Sequence, residues 1–145
     1  MIRECVDADF EAIYEIINDA AQAYRGIIPP DRWNEPYMPR EELREEISAG
    51  VVFLGYEQDG KLAGVMGTQD IQEVTLIRHA YVRTEQRGQG IGGTLLARIM
   101  DEATQPVLIG TWADVVWAVR FYERHGFQVV SSQQKEVLLR KYWTV

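Results

Sequence analysis

The sequence predicts an α/β domain with a mixed central sheet flanked by helices. Apolar runs typical of strands alternate with amphipathic runs typical of helices. The pair Asp59-Gly60 is a strong hairpin signal between two of the strand-like runs. At 145 residues the chain has the size of one domain, spanning residues 1–145. The predicted order is β-α-α-β-β-β-α-β-α-β, followed by a C-terminal element that we expect to be helical.

The first half of the chain begins with a short strand at residues 2–5. Apolar side chains then recur at helical spacing from Phe10 to Tyr24, and this helix ends at Gly26. Residues 27–39 contain four prolines, which indicates a constrained connection. A second helix is predicted at residues 41–48, where Pro39 precedes it and Gly50 closes it.

The next part of the chain supplies three strands in succession. They are predicted at residues 51–56, 62–68 and 73–82, with Asp59-Gly60 as the turn between the first two. A helix at residues 92–103 follows, and then a short apolar run at residues 106–111 with the composition of a buried strand.

The C-terminal region is predicted to contain a helix, a strand and a final helix. The helix at residues 113–125 stops at Gly126, and residues 127–130 form a strand. Residues 131–143 fit either a strand or a helix. We favour the helix because Ser131 or Ser132 can cap it and because Leu138, Leu139 and Tyr142 share one face.

Composition restricts the function classes. The formal net charge of −7 and pI near 4.8 disfavour nucleic acid and anionic membrane surfaces as partners. Cys5 is the only cysteine, so an intramolecular disulfide and a cysteine-based zinc site are excluded, and we expect no metal. Neither a signal-peptide segment at the N-terminus nor an apolar run of roughly 20 residues occurs, which favours the cytoplasm.

The most informative segment is Arg87-Gly88-Gln89-Gly90-Ile91-Gly92-Gly93, called the glycine turn below. It lies between a predicted strand and a predicted helix and holds four glycines in six residues. The first N–H groups of a helix lack intrahelical partners and carry roughly half a positive charge. Because Arg87 adds a full charge, the segment predicts a site for a phosphate or pyrophosphate.

Several interpretations of this segment compete. The spacing Gly88-x-Gly90-x-x-Gly93 formally matches a dinucleotide-binding fingerprint, but five polar residues separate it from Val82 at the strand end. A phosphate-binding P-loop requires a lysine before Thr94, and Gly93 stands there. A plain glycine-rich loop is the structural alternative.

Two motifs together resemble the GNAT superfamily of acetyl-CoA-dependent N-acetyltransferases. The first has the spacing Arg87-x-x-Gly90-x-Gly92. The second ends the following helix and is Ala118-x-x-Phe121-Tyr122-Glu123-x-x-Gly126-Phe127. The resemblance implies a GNAT-like mixed sheet and acetyl-CoA as co-substrate. The chain departs from the family pattern in two places. Val115 stands where the family usually has an asparagine, and the C-terminal element is expected to be a helix where the family ends with a strand.

The resemblance also implies roles for particular residues. Tyr122 matches the tyrosine that protonates the leaving thiolate, and backbone N–H groups near Tyr81 and Val82 match the donors to the thioester carbonyl. The pyrophosphate would bind along the glycine turn, at Arg87, Gly88, Gln89, Gly90, Ile91, Gly92 and Gly93.

The sequence leaves open which group removes the proton from the acceptor amine. His79 and Tyr81 alternate onto one face of a strand, and histidine titrates in the useful range. A lone histidine can equally be structural, Glu73 is a weaker candidate, and in this family water often removes the proton.

The resemblance also implies an acceptor site under the first two helices and their connection, and the segment just after the apolar strand would face the same cleft. Its candidate residues are Tyr24, Trp33, Tyr37 and Trp112, although such aromatics can also merely pack a proline-rich loop. The acidic residues Glu41, Glu42, Glu45 and Glu46 are interpreted as a solvated helix face.

These observations predict an N-acetyltransferase in which a primary amine of a small molecule or peptide attacks acetyl-CoA directly in a ternary complex. The alternative is a non-catalytic acyl-CoA sensor or interaction module on the same fold. Should the last strand be missing, the open sheet edge would favour a homodimer.

Overall fold

A computed structural model of the protein describes residues 1–111 and 115–143. The chain divides into two compact units, Met1–Gly110 and Thr111–Val145. The elements of the first unit are β1 Ile2–Glu4, α1 Phe10–Ala21, α2 Arg40–Ser48, β2 Val52–Gln58, β3 Lys61–Ile71, β4 Val74–Val82, α3 Ile91–Glu102 and β5 Val107–Ile109. The second unit contains α4 Val116–Arg124 and α5 Ser132–Tyr142.

The first unit is built on one five-stranded sheet in the order β1-β2-β3-β4-β5. The first four strands are antiparallel to their neighbours, and β5 is parallel to β4. A mixed sheet flanked by helices was the expected fold class, and the structure confirms it.

The hairpin between β2 and β3 forms where the sequence predicts it. Asp59 and Gly60 have φ angles of 54° and 78°, the left-handed conformations that a two-residue turn needs, and Gln58 pairs with Lys61. The next turn, between β3 and β4, places Gln72 at a φ of 52°. Short turns therefore fix the register of the three central strands.

The sheet packs against helices on two faces. On one face, Ile13, Ile16 and Ile17 of α1 and Leu43 of α2 form the core with apolar side chains of β2 and β3. On the other face lies α3, which buries Ile91, Leu95, Leu96 and Ile99. A Cβ built on Gly64 of β3 would lie 2.9 Å from Cγ2 of Ile91, so the first residue of α3 rests directly on the sheet.

The C-terminal region differs from the prediction in one element. Residues 127–130 were expected to form a strand, but they are irregular chain, and Val129 is 72% exposed. A strand is stable when it pairs in a sheet and buries one face. Within the described part of the chain, residues 127–130 pair with no strand, and Val129 and Val130 are exposed. The final helix is confirmed as α5, and the Ser131 hydroxyl caps it by accepting the Gln134 N–H at 3.1 Å.

Of the helices in residues 1–111 and 115–143, none is long and apolar enough to cross a membrane. The same residues contain no group of three or more His, Cys, Asp or Glu side chains that could hold a metal ion.

Candidate active site

The glycine turn connects β4 to α3 through backbone that suits glycine. Gly88 and Gly90 have φ angles of 82° and 77°, in the left-handed region where a side chain costs about 1–2 kcal/mol. Gly90 caps α3, and its carbonyl accepts the Thr94 N–H at 3.0 Å, which is the first helical bond. The N–H groups of residues 91–93 precede that bond and lack intrahelical acceptors.

The surface around these amides is open within the protein. Residues 87–90 are exposed, and a Cβ built on Gly88 or Gly90 would meet no atom of residues 1–111 and 115–143 within 4 Å. Packing within the chain therefore does not explain these glycines. Their conformation and the space above them suit an anion that approaches the helix N-terminus, with Arg87 at its edge.

β4 offers backbone groups to a ligand along part of one edge. β5 pairs only with Thr75, Leu76 and Ile77, so β4 has no sheet partner on that side from Arg78 onward within the first unit. On the other side, the Arg83 N–H donates to Ala63 of β3 at 2.8 Å. Because N–H directions alternate along a strand, the Val82 N–H points to the open edge.

The same alternation separates the two predicted donors. The Tyr81 N–H has the same direction as that of Arg83 and points towards β3, where Tyr81 pairs with Val65. Of the two positions expected near the thioester carbonyl, Val82 is the one whose backbone N–H faces the open edge.

Gly67 leaves space on the sheet for the ring of His79. Gly67 of β3 pairs with Phe53 of β2 on one side and with His79 of β4 on the other. Strands two apart are separated by roughly 10 Å, too far for ring contact over an ordinary side chain. Because Gly67 has none, the rings of Phe53 and His79 stack across it with their centroids 6.1 Å apart. A Cβ on Gly67 would lie 3.0 Å from Cε1 of Phe53.

His79 is held from above by an acidic residue of α2. Its Nε2 lies 2.7 Å from Oε1 of Glu46, and the two side chains are only 11% and 15% exposed. Nη2 of Arg78 lies 3.4 Å from the same oxygen. Burial of the Glu46 carboxyl opposes ionisation, but the hydrogen bond from His79 and the charges of His79 and Arg78 outweigh it and lower the pKa of Glu46.

Glu46 corrects the interpretation of the acidic stretch on α2. Glu41, Glu42 and Glu45 are exposed, as expected for a solvated face, but Glu46 is half-buried. The signal was present in the sequence, because Leu43 and Ile47 are the apolar positions of this helix and Glu46 lies on the same side. The carboxylate is accommodated there because His79 and Arg78 are its partners.

The predicted acceptor residues form one line of rings with His79. We call Trp33, Tyr37, Tyr24, Tyr81 and His79 the aromatic row. Successive ring centroids along it are 5.5, 6.4, 6.1 and 6.3 Å apart. All five side chains are half-buried. The structure thus brings Tyr24, Trp33 and Tyr37 together, whereas Trp112 lies outside the described residues.

Tyr24, in the middle of the row, is a neutral phenol. Burial, followed by the neighbouring Tyr37, raises its pKa to about 12, and the positive charge of Arg87 acts in the opposite direction. Tyr24 therefore presents an uncharged aromatic ring at neutral pH.

Tyr122 occupies the end of α4 in the second unit. It is buried, and its ring meets Phe121 and Phe127 edge-on at 5.1 and 5.6 Å. Its carbonyl accepts the N–H groups of His125 and Phe127, and Gly126 between them has a φ of 92°. This helix end fixes the backbone on both sides of the tyrosine.

Val115 begins the same helix. It is fully buried, and its carbonyl accepts the N–H groups of Ala118 and Val119. Where the GNAT pattern usually has an asparagine, the chain thus has an apolar side chain, and its backbone carbonyl makes the polar contacts described here.

Comparison with known proteins gives the family. A family model described as "Acetyltransferase (GNAT) domain" matches residues 11–140. The PaiA N-acetyltransferase of Thermoplasma acidophilum, solved with coenzyme A, is 24% identical, with 91% of each chain covered and a TM-score of 0.73. The ribosomal-protein-alanine N-acetyltransferase of Brucella melitensis is 25% identical over 90% of this chain and 86% of that chain, with a TM-score of 0.70. The family match covers most of the chain, which therefore belongs to the GNAT acetyltransferase family.

Proposed function

We propose that the protein transfers the acetyl group of acetyl-CoA to a primary amine by direct attack in a ternary complex. The observation that carries this proposal is the glycine turn, where the amides of residues 91–93 precede the first bond of α3 beside Arg87. Such a helix end suits the pyrophosphate of coenzyme A. Family membership and the structure of a similar protein with coenzyme A support the choice of this ligand.

The reaction forms a C–N bond and breaks a C–S bond. The amine nitrogen attacks the thioester carbon, and the Val82 N–H stabilises the oxyanion that develops on the carbonyl oxygen. Collapse of the tetrahedral intermediate expels the thiolate of coenzyme A, to which Tyr122 donates a proton. His79 accepts the proton that the amine loses, so the products are an amide and a thiol.

The aromatic row is the proposed acceptor surface. Its rings are half-buried, contiguous and end at His79. Neutral aromatic faces accommodate apolar groups and also attract an ammonium ion by cation–π interaction. An arylalkyl amine and a peptide N-terminus are therefore the two acceptor classes to test first. The net charge of −7 is consistent with a cationic acceptor.

The test is release of free thiol from acetyl-CoA across a panel of arylalkyl amines, aliphatic amines and short peptides. We expect turnover with at least one amine. Tyr122→Phe should lower kcat by about a hundredfold, because a positioned proton donor contributes roughly that much. Its affinity for coenzyme A, measured by calorimetry, should stay within about twofold of the wild type.

Tyr142→Phe is the matched control, since Tyr142 is a comparably buried tyrosine of the second unit and should retain full turnover. Tight binding of acetyl-CoA with no turnover on any amine would instead identify an acyl-CoA sensor. Equal kcat in Tyr122→Phe and wild type would remove the tyrosine from the mechanism.

A further inference from the structure

We propose that Glu46 is a positioning residue that fixes the imidazole of His79 so that Nδ1 receives the proton of the attacking amine. The proposal rests on the acetyl transfer proposed above and adds to it a residue of α2 that touches neither substrate nor coenzyme. The proposal is argued from the contacts that the His79 ring makes with its neighbours.

The first step concerns the position of the imidazole proton. A neutral histidine carries one N–H, and its position is set by the hydrogen bond that the ring makes. An ionised carboxylate can only accept, so the 2.7 Å contact with Glu46 places the proton on Nε2. The lone pair of the neutral ring is then on Nδ1, the nitrogen that is not bonded to Glu46.

The second step concerns the orientation of the ring. The Phe53 ring lies 6.1 Å from the imidazole with an interplanar angle of 14°, and the Tyr81 ring lies 6.3 Å from it with an angle of 23°. The absence of a side chain at Gly67 opens the space for this arrangement. Two near-parallel neighbouring rings and a hydrogen bond from one nitrogen to Glu46 together restrict the orientation of the imidazole.

The third step concerns charge. Glu46 favours the imidazolium form of His79, because an opposite charge stabilises the protonated ring. The guanidinium of Arg78 lies on the same Glu46 oxygen and disfavours a second cation beside it, while its Nη1 donates to Gln69 of β3 at 3.4 Å. Glu46 and Arg78 therefore bring opposite charges to the surroundings of the ring. Tyr81, the other titratable neighbour, is a ring contact on the same strand.

The fourth step separates this role from a structural one. An ion pair between α2 and β4 could serve only to hold the helix on the sheet. Loss of such a pair would lower the unfolding free energy and leave the pH profile of turnover in place. A positioning residue for a base changes the pH profile itself, and this difference decides the experiment.

The experiment measures kcat/KM against pH, from 5.5 to 9, for wild type, Glu46→Gln and Arg78→Gln with the best amine of the panel. In Glu46→Gln the midpoint of the rising limb should move down by about one pH unit, because the imidazolium loses its counter-charge. The plateau should fall about tenfold, because the base is weaker and less firmly oriented. In Arg78→Gln the midpoint should move up.

Glu45→Gln is the matched control, because Glu45 is an exposed neighbour on the same helix and should leave the profile unchanged. Superimposable profiles for Glu46→Gln and wild type would overturn this proposal and leave the transferase assignment intact. If wild type releases no thiol with any amine, the proposed function fails first and this role falls with it.

A second measurement covers the case in which Glu46→Gln is inactive. The chain has two histidines, so the ring signals of His79 can be followed by NMR with His125→Gln for assignment. The titration midpoint of His79 should be lower by about one pH unit in Glu46→Gln than in wild type. An unchanged midpoint would overturn the proposal.

Discussion

The glycine turn and the aromatic row lie in the same unit but are made from different parts of the polypeptide. The glycine turn is a single segment, residues 87–93, and it offers backbone N–H groups at the start of one helix. The aromatic row comes from the α1–α2 connection and from β4, and it is completed by Phe53 of β2 and Glu46 of α2. The glycine turn offers main-chain groups of one continuous segment, whereas the aromatic row offers side chains that several elements bring together.

This difference separates two tasks. Coenzyme A is the same molecule for every acetyl transfer, and backbone amides at a helix end bind its phosphates whatever side chains surround them. An acceptor amine has its own shape, which only side chains can match. A main-chain site is therefore expected to respond to backbone changes, and the aromatic row to changes of ring and charge.

The largest expected effect is that of Gly90→Val on coenzyme binding. Valine at a φ of 77° is strained by about 1–2 kcal/mol, and relief of the strain would rotate the N–H groups that follow. Its branched side chain would also extend into the open space above the turn. We expect the affinity for coenzyme A, measured by calorimetry, to fall at least about a hundredfold.

Gly50→Val is the matched control. Gly50 also has a positive φ, 108°, and a Cβ built on it meets no atom of the described residues within 4 Å, but it ends α2. Both variants should lose similar unfolding free energy, and only Gly90→Val should lose coenzyme affinity. Equal losses of affinity would mean that backbone strain anywhere disturbs the site, and the distinction between the two surfaces would disappear.

The second prediction uses pH to test the aromatic row alone. The pKa of Tyr24 is about 12 in the folded protein and near 10 in an unfolded chain. A raised folded pKa means that the stabilisation is fully present below pH 10 and is lost as the pH rises towards 12. By pH 12 the wild type should lose about 2 kcal/mol of unfolding free energy that Tyr24→Phe retains, because phenylalanine does not ionise.

The measurement is chemical denaturation of both proteins at intervals from pH 8 to 12. All other titrating groups are common to the two chains, so the difference between the curves isolates Tyr24. Parallel curves would show that the phenol is solvated and that the row is more open than the structure indicates.

The sequence predicts the glycine turn better than it predicts the neighbours of the aromatic row. The glycine turn was identified from residues 87–93 because glycine spacing and a following helix are local properties. The hairpin at Asp59-Gly60 and the capping of α5 by Ser131 are of the same kind, and both are confirmed. Such features depend on neighbours within a few residues, which a single sequence displays.

The neighbours of His79 depend instead on register. Nothing in the sequence shows that Gly67 pairs with both Phe53 and His79, because one residue of slippage would turn every side chain to the other face. Helical spacing already places Glu46 on the buried side of α2, but its contact with His79, 33 residues away along the chain, is hidden for the same reason. The strand expected at residues 127–130 failed because apolar composition alone does not provide a pairing partner.

The smallest of these effects is expected for Tyr24→Leu on the acceptor. Leucine keeps the site apolar but removes the ring that contacts both Tyr37 and Tyr81, so the row is interrupted in its middle. An aromatic contact contributes about 0.5–1.5 kcal/mol beyond area burial, which corresponds to a rise of up to about tenfold in KM for the amine. KM for acetyl-CoA should stay within about twofold, because the glycine turn binds it through main-chain groups.

Tyr14→Leu is the control, since Tyr14 is a half-buried tyrosine of α1 that packs under Arg40, outside the row. A rise of both KM values in Tyr24→Leu would show that acceptor and coenzyme share one surface, whereas unchanged values would assign the row to packing of the proline-rich connection.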